Sequence, residues 1–520
     1  MPLPTPPCPA PPLAPGSSAT PKAGRTRPSA QTVAATLVLV CLAGCSTPAP
    51  PPPAHPLGEI AGFRQAAATP PEALDAATWA GFGDPLLNEL LAGARAANLD
   101  VRIALQRVRQ ARAGSTATAS RLWPTVALTG SASDQRSGLP DEVKRGQPDT
   151  RAWRGALDLG WELDVFGAAS AAADGAARDA LAAEAGVQAA QWLATTEVAR
   201  HYLVWQGARL RLQQLQALLQ AQQRTEALTR SRQAQGLASA FDLSRASAEV
   251  QGLAAQLPAL HTLVAVSQHQ IDVLLGQQPG AADWAARQAL APLLPRVPTL
   301  APGQPVELLQ RRPDLRVAQQ QLLAEAARLR ASKAELWPRF FIAAVLGRQD
   351  LRLNALSLSP VRYSQLALAF SAPLFNAGRL RAAVEGQDAR ARSATLHYER
   401  AVLSALQDVE NSLVALAHER QRSQALAAAV ESRRSGLRHA EALHREGQID
   451  LLLLLEAQRG LIAAELAHTD SHTQAALGAV QLVKALGGGW YAEPPPAQTA
   501  AQLSAELVAP AATTQEQGTR

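Results

Sequence analysis

Residues 153–165 read Trp-Arg-Gly-Ala-Leu-Asp-Leu-Gly-Trp-Glu-Leu-Asp-Val. The odd positions carry Trp153, Leu157, Leu159, Trp161, Leu163 and Val165, and the even positions include Arg154, Asp158, Glu162 and Asp164. Successive side chains of a β-strand point to opposite faces. A strand here has one greasy face with aromatic residues and one mostly anionic face. A helix would scatter the same carboxylates around its circumference. The pattern fits a barrel strand with lipid on one side and water on the other. A soluble hairpin packed on helices is the other reading of the same alternation.

This stretch has neighbours of its kind. Val126, Leu128 and Gly130 place a strand over about 124–134, joined to a strand over about 152–165 by a polar loop at 135–151. Residues of about 338–348 and 362–371 read as a second pair. Trp123, Trp153, Trp161 and Trp337 are expected to anchor these strands at the membrane boundaries. Four strands cannot close a transmembrane barrel, which needs about eight. An open edge in lipid would leave backbone groups unsatisfied. If these strands span, several copies must share one barrel, and three copies would supply twelve strands.

The strand pairs belong to a larger duplication. Leu122-Trp123-Pro124 recurs as Leu336-Trp337-Pro338, and Val165-Phe166-Gly167 has a counterpart in Leu374-Phe375-Asn376-Ala377-Gly378. The stretch from Gly236 is echoed from Gly447, and Leu275-Gly276 by Leu486-Gly487. These landmarks lie about 209 to 214 positions apart, which indicates duplication of a whole unit. The units are expected over 80–276 and 306–489, with a proline-bearing linker at 277–305.

Each unit is mostly helix. Leu86 to Ala119 reads as one helical segment ending before Pro124, because a proline disfavours helical geometry in the residue before it. Residues 168–257 and 374–493 contain no proline and are rich in Ala, Leu, Gln, Glu and Arg, all strong helix formers. Helices over Ala168–Gln235 and Leu380–Glu446 would each be about 100 Å long. Gly236 and Gly447 are expected to interrupt them, followed by helices at 241–275 and 450–486. A coiled-coil rod is the bland alternative, and it leaves the strand pairs unexplained.

The front end reads as an address. Residues 1–30 are rich in Pro and Ala and carry Lys22, Arg25 and Arg27; residues 33–43 are almost purely apolar, too short to span. The run ends in Leu42-Ala43-Gly44-Cys45-Ser46, which resembles a bacterial lipoprotein signal. That resemblance makes residues 1–44 a signal peptide with an atypical N-terminal extension. It also makes Cys45 the lipidated first residue, carrying S-diacylglycerol and an N-acyl chain. An ordinary secretory signal with an incidental cysteine is the competing reading. The cysteines are Cys8, Cys41 and Cys45, so the mature chain has no pair for a disulfide. Residues 45–79 then form a lipidated terminus and proline-rich tether, and residues 490–520 a disordered tail.

Taken together, the lipobox, the repeated Trp-Pro turns and Ala372-Pro373-Leu374-Phe375-Asn376-Ala377-Gly378-Arg379 resemble the outer membrane factor family, typified by TolC and OprM. The lipoprotein, NodT-type branch is the nearest match, over roughly residues 80–489. Pro313-Asp314-Leu315-Arg316 also resembles the family's pattern near its second repeat. The resemblance implies a mixed α and β fold. Its working form is a homotrimer with one twelve-stranded outer-membrane barrel, a long periplasmic α-helical barrel and a small equatorial domain. It implies a passive exit duct of a tripartite efflux system in a Gram-negative outer membrane. The partners it implies are outer-membrane lipid, a periplasmic adaptor and an inner-membrane pump, commonly one driven by proton flux. The duct of a type I secretion system is the alternative within this class.

In the family the turns at Gly236 and Gly447 form the periplasmic entrance, where acidic residues often narrow the pore and adaptors make contact. Asp242 fits such a position, and Glu456 matches a usual aspartate. Asp450 lies closer to its turn, while Leu453 occupies a position that is acidic in some members. Helix capping is the structural alternative for Asp242 and Asp450. Glu456 could equally be a solvated tunnel or outer-face residue.

Other classes fare worse. The histidines form no His-Glu-x-x-His motif, and no phosphate-binding Gly-x-x-x-x-Gly-Lys-Ser/Thr is present, so neither an enzyme nor a metal, cofactor or nucleotide site is expected. The net charge of +6 invites a nucleic-acid reading, but part of the excess sits in the leader, and elsewhere acids and bases are interspersed. A non-channel structural lipoprotein of the periplasm would share the leader and helices. It would not need two Trp-anchored strand pairs.

Overall fold

The computed structural model of the chain describes residues 63, 76–136, 138, 140, 149–291, 296–300, 308–353, 356–357 and 360–488. The expected signal peptide, Cys45, most of the tether and the 490–520 tail lie outside these residues. The first unit contains α1 (Pro85–Ala97), α2 (Leu99–Ala119), β1 (Thr125–Gln135), β2 (Thr150–Leu163), α3 (Ala168–Ala234), α4 (Ala240–Ala254) and α5 (Leu257–Leu274). A short helix α6 (Trp284–Leu290) follows in the linker. The second unit contains α7 (Leu308–Arg311), α8 (Pro313–Ala334), β3 (Arg339–Leu353), β4 (Leu356–Ser357), β5 (Val361–Ser371), α9 (Arg379–Arg445) and α10 (Leu451–Ala485). The two long helices, α3 and α9, have 67 residues each, about 100 Å of rod. Among the described residues no helix is long and apolar enough to cross a membrane.

The four long strands form one antiparallel sheet in the order β1-β2-β3-β5, with β4 a two-residue addition to β3. The register aligns the apolar sets of all four strands. Leu157 faces Leu128 on one side and Leu346 on the other, and Ile342 lies between Trp161 and Leu368. One face of the sheet therefore carries Val126, Leu128, Leu157, Leu159, Trp161, Phe340, Ile342, Leu346, Leu366, Leu368 and Phe370. Leu128 and Leu366 are 81% and 79% exposed. Among the described residues only Phe166, 6.5 Å from Phe340, packs on the helical end of this face, and the rest of it is left uncovered.

The opposite face is not simply anionic. Arg339 of β3 donates to Glu162 at 2.6 and 2.5 Å, the Thr129 hydroxyl donates to Asp158 at 2.6 Å, and Arg154 donates to the Tyr363 hydroxyl. Neighbouring strands thus supply the partners that an isolated strand lacks. Asp164 lies past the strand end and caps α3, accepting from the amides of Ala169 at 2.8 Å and Ser170 at 2.7 Å. A helix start leaves amides without intrahelical partners, so a carboxylate is more useful there than in the sheet.

Three further boundaries differ from the sequence reading. The expected helix at 86–119 breaks at Asn98. Its side chain accepts from Asp100 N and Val101 N and donates to the Leu274 carbonyl at 2.9 Å. The helix at 241–275 is interrupted at Ala255–Gln256, so that Pro258 falls in a first helical turn, where its missing N–H costs nothing. β3 runs to Leu353, beyond the expected 348, because Asp350 and Arg352 continue the alternation as a polar end.

The main core lies midway along the helical rods. Trp79, Phe82, Leu87 and Leu91 pack with Tyr202 and Trp205 of α3, Ile271 of α5, Trp284 of α6, Val402 and Val409 of α9, and Val483 of α10. Trp205 meets Tyr202 and Trp284 at ring distances of 5.6 and 5.1 Å. Buried Asp84 accepts from the Leu87 amide at 3.1 Å and from the Tyr202 hydroxyl at 2.5 Å. Burial and this carboxylate push the Tyr202 phenol well above its usual range.

The duplication is visible in how each unit closes. At the end of the first, Gly276 (φ +70) packs so tightly on Ala97 that an added Cβ would lie 2.7 Å from its carbonyl oxygen. At the end of the second, Gly487 (φ +69) leaves only 2.8–2.9 Å to Arg312. Both positions need a left-handed backbone and a close approach at once, which only glycine supplies without strain.

Candidate functional site

The ends of α3 and α9 farthest from the sheet turn back by the same device. Gly236 (φ +71) and Gly447 (φ +73) follow the last turns. Leu237 N donates to the Arg232 carbonyl at 2.8 Å, and Gln448 N to the Leu443 carbonyl at 2.9 Å, which closes each helix in a left-handed cap. Three residues after each glycine the next helix is capped. Ser239 accepts from Asp242 N at 3.1 Å, and Asp450 accepts from Leu453 N at 2.9 Å. The repeat thus makes Ser239 equivalent to Asp450, and Asp242 equivalent to Leu453.

This equivalence separates the candidate acids. Asp242 completes a capping box by accepting from Ser239 N at 3.0 Å and from the Ser239 hydroxyl at 2.7 Å. Those hydrogen bonds hold its carboxyl below the usual carboxylate range. Asp450 is the N-cap of α10, and its second oxygen lies 3.6 Å from Arg232 on α3, linking the two hairpins. Glu456 lies nearly two turns farther on and accepts from Arg459 at 3.2 Å.

Asp242 and Glu456 come together in one cavity of about 350 Å³ between the hairpins; Asp450 is outside its lining. Arg232, Arg245 and Arg459 line the same cavity, as do Glu249, Leu237 and Leu455. Three guanidiniums thus face three carboxylates. The arginines were not singled out by the sequence, because long helices rich in arginine give no spacing signal for them. Beside the cavity the tips expose apolar side chains: Phe241 is 74% exposed, Leu237 66% and Leu453 51%. Gly236 and Gly447 have open space around them. Among the described residues no group of three or more His, Cys, Asp or Glu could hold a metal ion.

The expected anchors fall at two levels. Trp123, Trp161 and Trp337 stand at the helical end of the sheet. There the Trp161 Nε1 donates to the Leu122 carbonyl at 3.0 Å and Phe166 stacks on Trp337 at 5.4 Å. Trp153 stands near the far end and is exposed.

Comparison with known proteins places this geometry. The sequence model of the family described as Outer membrane efflux protein matches residues 90–277 and 305–488. The chain is 30% identical over 460 residues to the pyoverdine export outer membrane protein OpmQ of Pseudomonas putida, covering 87% of this chain and 96% of that protein. It is 30% identical over 467 residues to the outer membrane protein OprJ of Pseudomonas aeruginosa, covering 88% and 96%. Among solved structures, the outer-membrane channel OprN superposes with a TM-score of 0.73 at 30% identity, over 84% of this chain and 99% of that one. The sheet lies in the outer membrane and the helical rods in the periplasm. The molecule is the outer-membrane channel component of an efflux system. The chain belongs to the outer membrane efflux protein family.

Proposed function

We propose that three copies of the chain assemble into one duct, anchored by lipid at Cys45. Twelve strands, four from each copy, close a barrel in the outer membrane. The helical rods continue it as a periplasmic tunnel, and the Trp79–Trp205 core serves as the equatorial girdle. The observation that carries this reading is the sheet itself. One face carries a broad apolar band, the other carries paired polar side chains, and among the described residues strands β1 and β5 each have an unpaired edge. Backbone edges are not tolerated in hydrocarbon, so each edge requires the edge of another copy.

The tips are the entrance. The cavity between the hairpins and exposed Phe241 and Leu237 receive the periplasmic adaptor, which couples the duct to an inner-membrane pump driven by proton flux. Asp242 and Glu456 are the gate candidates; in one copy the arginines of the same cavity balance their charge, which argues against a purely acidic ring. Asp450 contributes by holding the hairpins together through Arg232.

Planar-bilayer recording on the purified chain tests the duct. Trimer-sized, cation-conducting steps are expected, and a folded monomer that fails to insert would sink it. Cross-linking from residues 236–242 and 447–453 tests the docking role, which is lost if no adaptor is captured there.

A further inference from the structure

The apolar face of the sheet ends abruptly at its far side. Along β3 this face reads Phe340, Ile342, Ala344 and Leu346, then Arg348, Asp350 and Arg352. From Phe340 to Leu346 the strand runs about 20 Å, which at the tilt of a barrel strand is about 15 Å of height, over half of the lipid-facing band of a membrane barrel. The register sets Arg348 directly opposite Arg362 on β5, and Arg352 directly opposite Arg151 on β2. All four arginines are exposed.

Like charges directly opposite one another destabilise a sheet. Arg151 is relieved by Asp134 at 2.7 Å. Among the described residues, the side chains of Arg348, Arg352 and Arg362 have no hydrogen-bond or ion-pair partner. Asp350 lies between two of them in sequence but pairs with neither, and its Oδ1 is covered without a partner. Asp149, at the foot of the adjoining loop, already has a partner of its own. On the same face Trp153 leans over Gly155, which is the residue opposite Arg348. Tryptophan collects where hydrocarbon meets headgroups.

We propose that Arg348, Arg352 and Arg362 bind the phosphate groups of anionic lipid headgroups in the outer leaflet. The proposal rests on the reading of this sheet as a barrel wall. A guanidinium presents a planar fork of donors that matches phosphate oxygens two at a time. A phosphate placed between Arg348 and Arg362 turns a repulsive cross-strand pair into two favourable contacts. Charge complementarity chooses the occupant: cations at the top of an apolar band meet the headgroup layer and nothing else in a bilayer.

The test uses the purified full-length trimer in phosphatidylcholine nanodiscs doped with bisphosphorylated lipid A or with its dephosphorylated form. Glycolipid retained on the protein is counted by mass spectrometry. The wild type is expected to enrich the phosphorylated form, Arg348→Gln/Arg362→Gln to lose roughly tenfold of that enrichment, and Arg348→Lys/Arg362→Lys, which keeps the charges and loses the forks, to fall between the two. Equal enrichment of the two lipids, or no change in the glutamine variant, overturns the proposal. So does a glutamine variant that falls apart into monomers without phosphorylated lipid, because the arginines would then be serving the neighbouring subunit. A wild type that never inserts as a trimer overturns the barrel reading, and this proposal with it.

Discussion

The guanidinium of Arg312 donates to the backbone carbonyl of Ala485 at 3.2 Å, tying the start of the second unit to its end. The same side chain holds Asp314 at 2.7 Å and Asp408 at 3.1 Å, and lies over the ring of Trp192. In the first unit the Asn98 amide donates to the Leu274 carbonyl instead. One lock has been kept in both copies while its side chain changed.

The glycines that seat this lock separate two costs. Gly487→Ala and Gly276→Ala combine a strained backbone with an unavoidable clash, and each is expected to destabilise by roughly 2–4 kcal/mol. Gly447→Ala has the same backbone conformation but open space, so about 1 kcal/mol is expected. Denaturant unfolding of the three variants measures the difference.

Arg312→Lys keeps the charge and loses the fork and the flat contact with Trp192. Desolvation works against the buried guanidinium, but its two aspartates outweigh that and raise its pKa. Charge is therefore not what the substitution removes. A loss of about 1–2 kcal/mol is expected, moderated because both aspartates are partly solvated. The unfolding midpoint checks this.

Tyr202→Phe deletes the donor to buried Asp84 and leaves a carboxylate oxygen short of one hydrogen bond in the core. A cost of about 1–3 kcal/mol is expected. Because the phenol is held protonated in the folded chain, its contribution in the wild type is complete below the ordinary tyrosine pKa and fades as pH rises above it. Tyr202→Phe should remove that alkaline loss, as read by unfolding at high pH.

The capping box at the first tip carries the opposite sign. Asp242 is held ionised by Ser239, so its cap is present above the ordinary carboxylate pKa and is lost as pH falls through the lower folded value. The protection of the amides at the start of α4, measured against their intrinsic exchange rate at each pH, is expected to fall in acid. Asp242→Asn should show that lower protection already at neutral pH.

Leu453 stands where Asp242 stands in the other hairpin. Leu453→Asp places a carboxylate in the first turn of α10, where the helix favours it. If the tips line the entrance, the substitution should raise cation preference, read as a shift in reversal potential across a salt gradient. An unchanged potential would mean that this position does not face the conducting path.

Much of this was legible because the alternation at 153–163 and the paired glycines at 236 and 447 are local devices, each set by a few adjacent residues. The break at Asn98 was not legible, since it depends on Leu274 far along the chain. Arg312 sits in an Arg-Arg-Pro stretch that gives no hint of a buried ion-pair centre. Asp164 obeyed the strand alternation yet belongs to the next helix, whose free amides compete for it. The acids Asp242 and Glu456, which share one cavity, could be named from the sequence. Their counter-charges could not, because Arg232, Arg245 and Arg459 meet them only when two hairpins lie side by side.

The two bare margins of the sheet bear on how such a chain survives its journey. A copy crossing the periplasm alone is adhesive on both sides and water-repellent on one face. Any extended segment it meets is a competing template. In the proposed trimer, folding, finding two siblings and entering the bilayer are therefore best completed as a single event, and a cell that slows any one of them should see the chain degraded or clumped rather than stored.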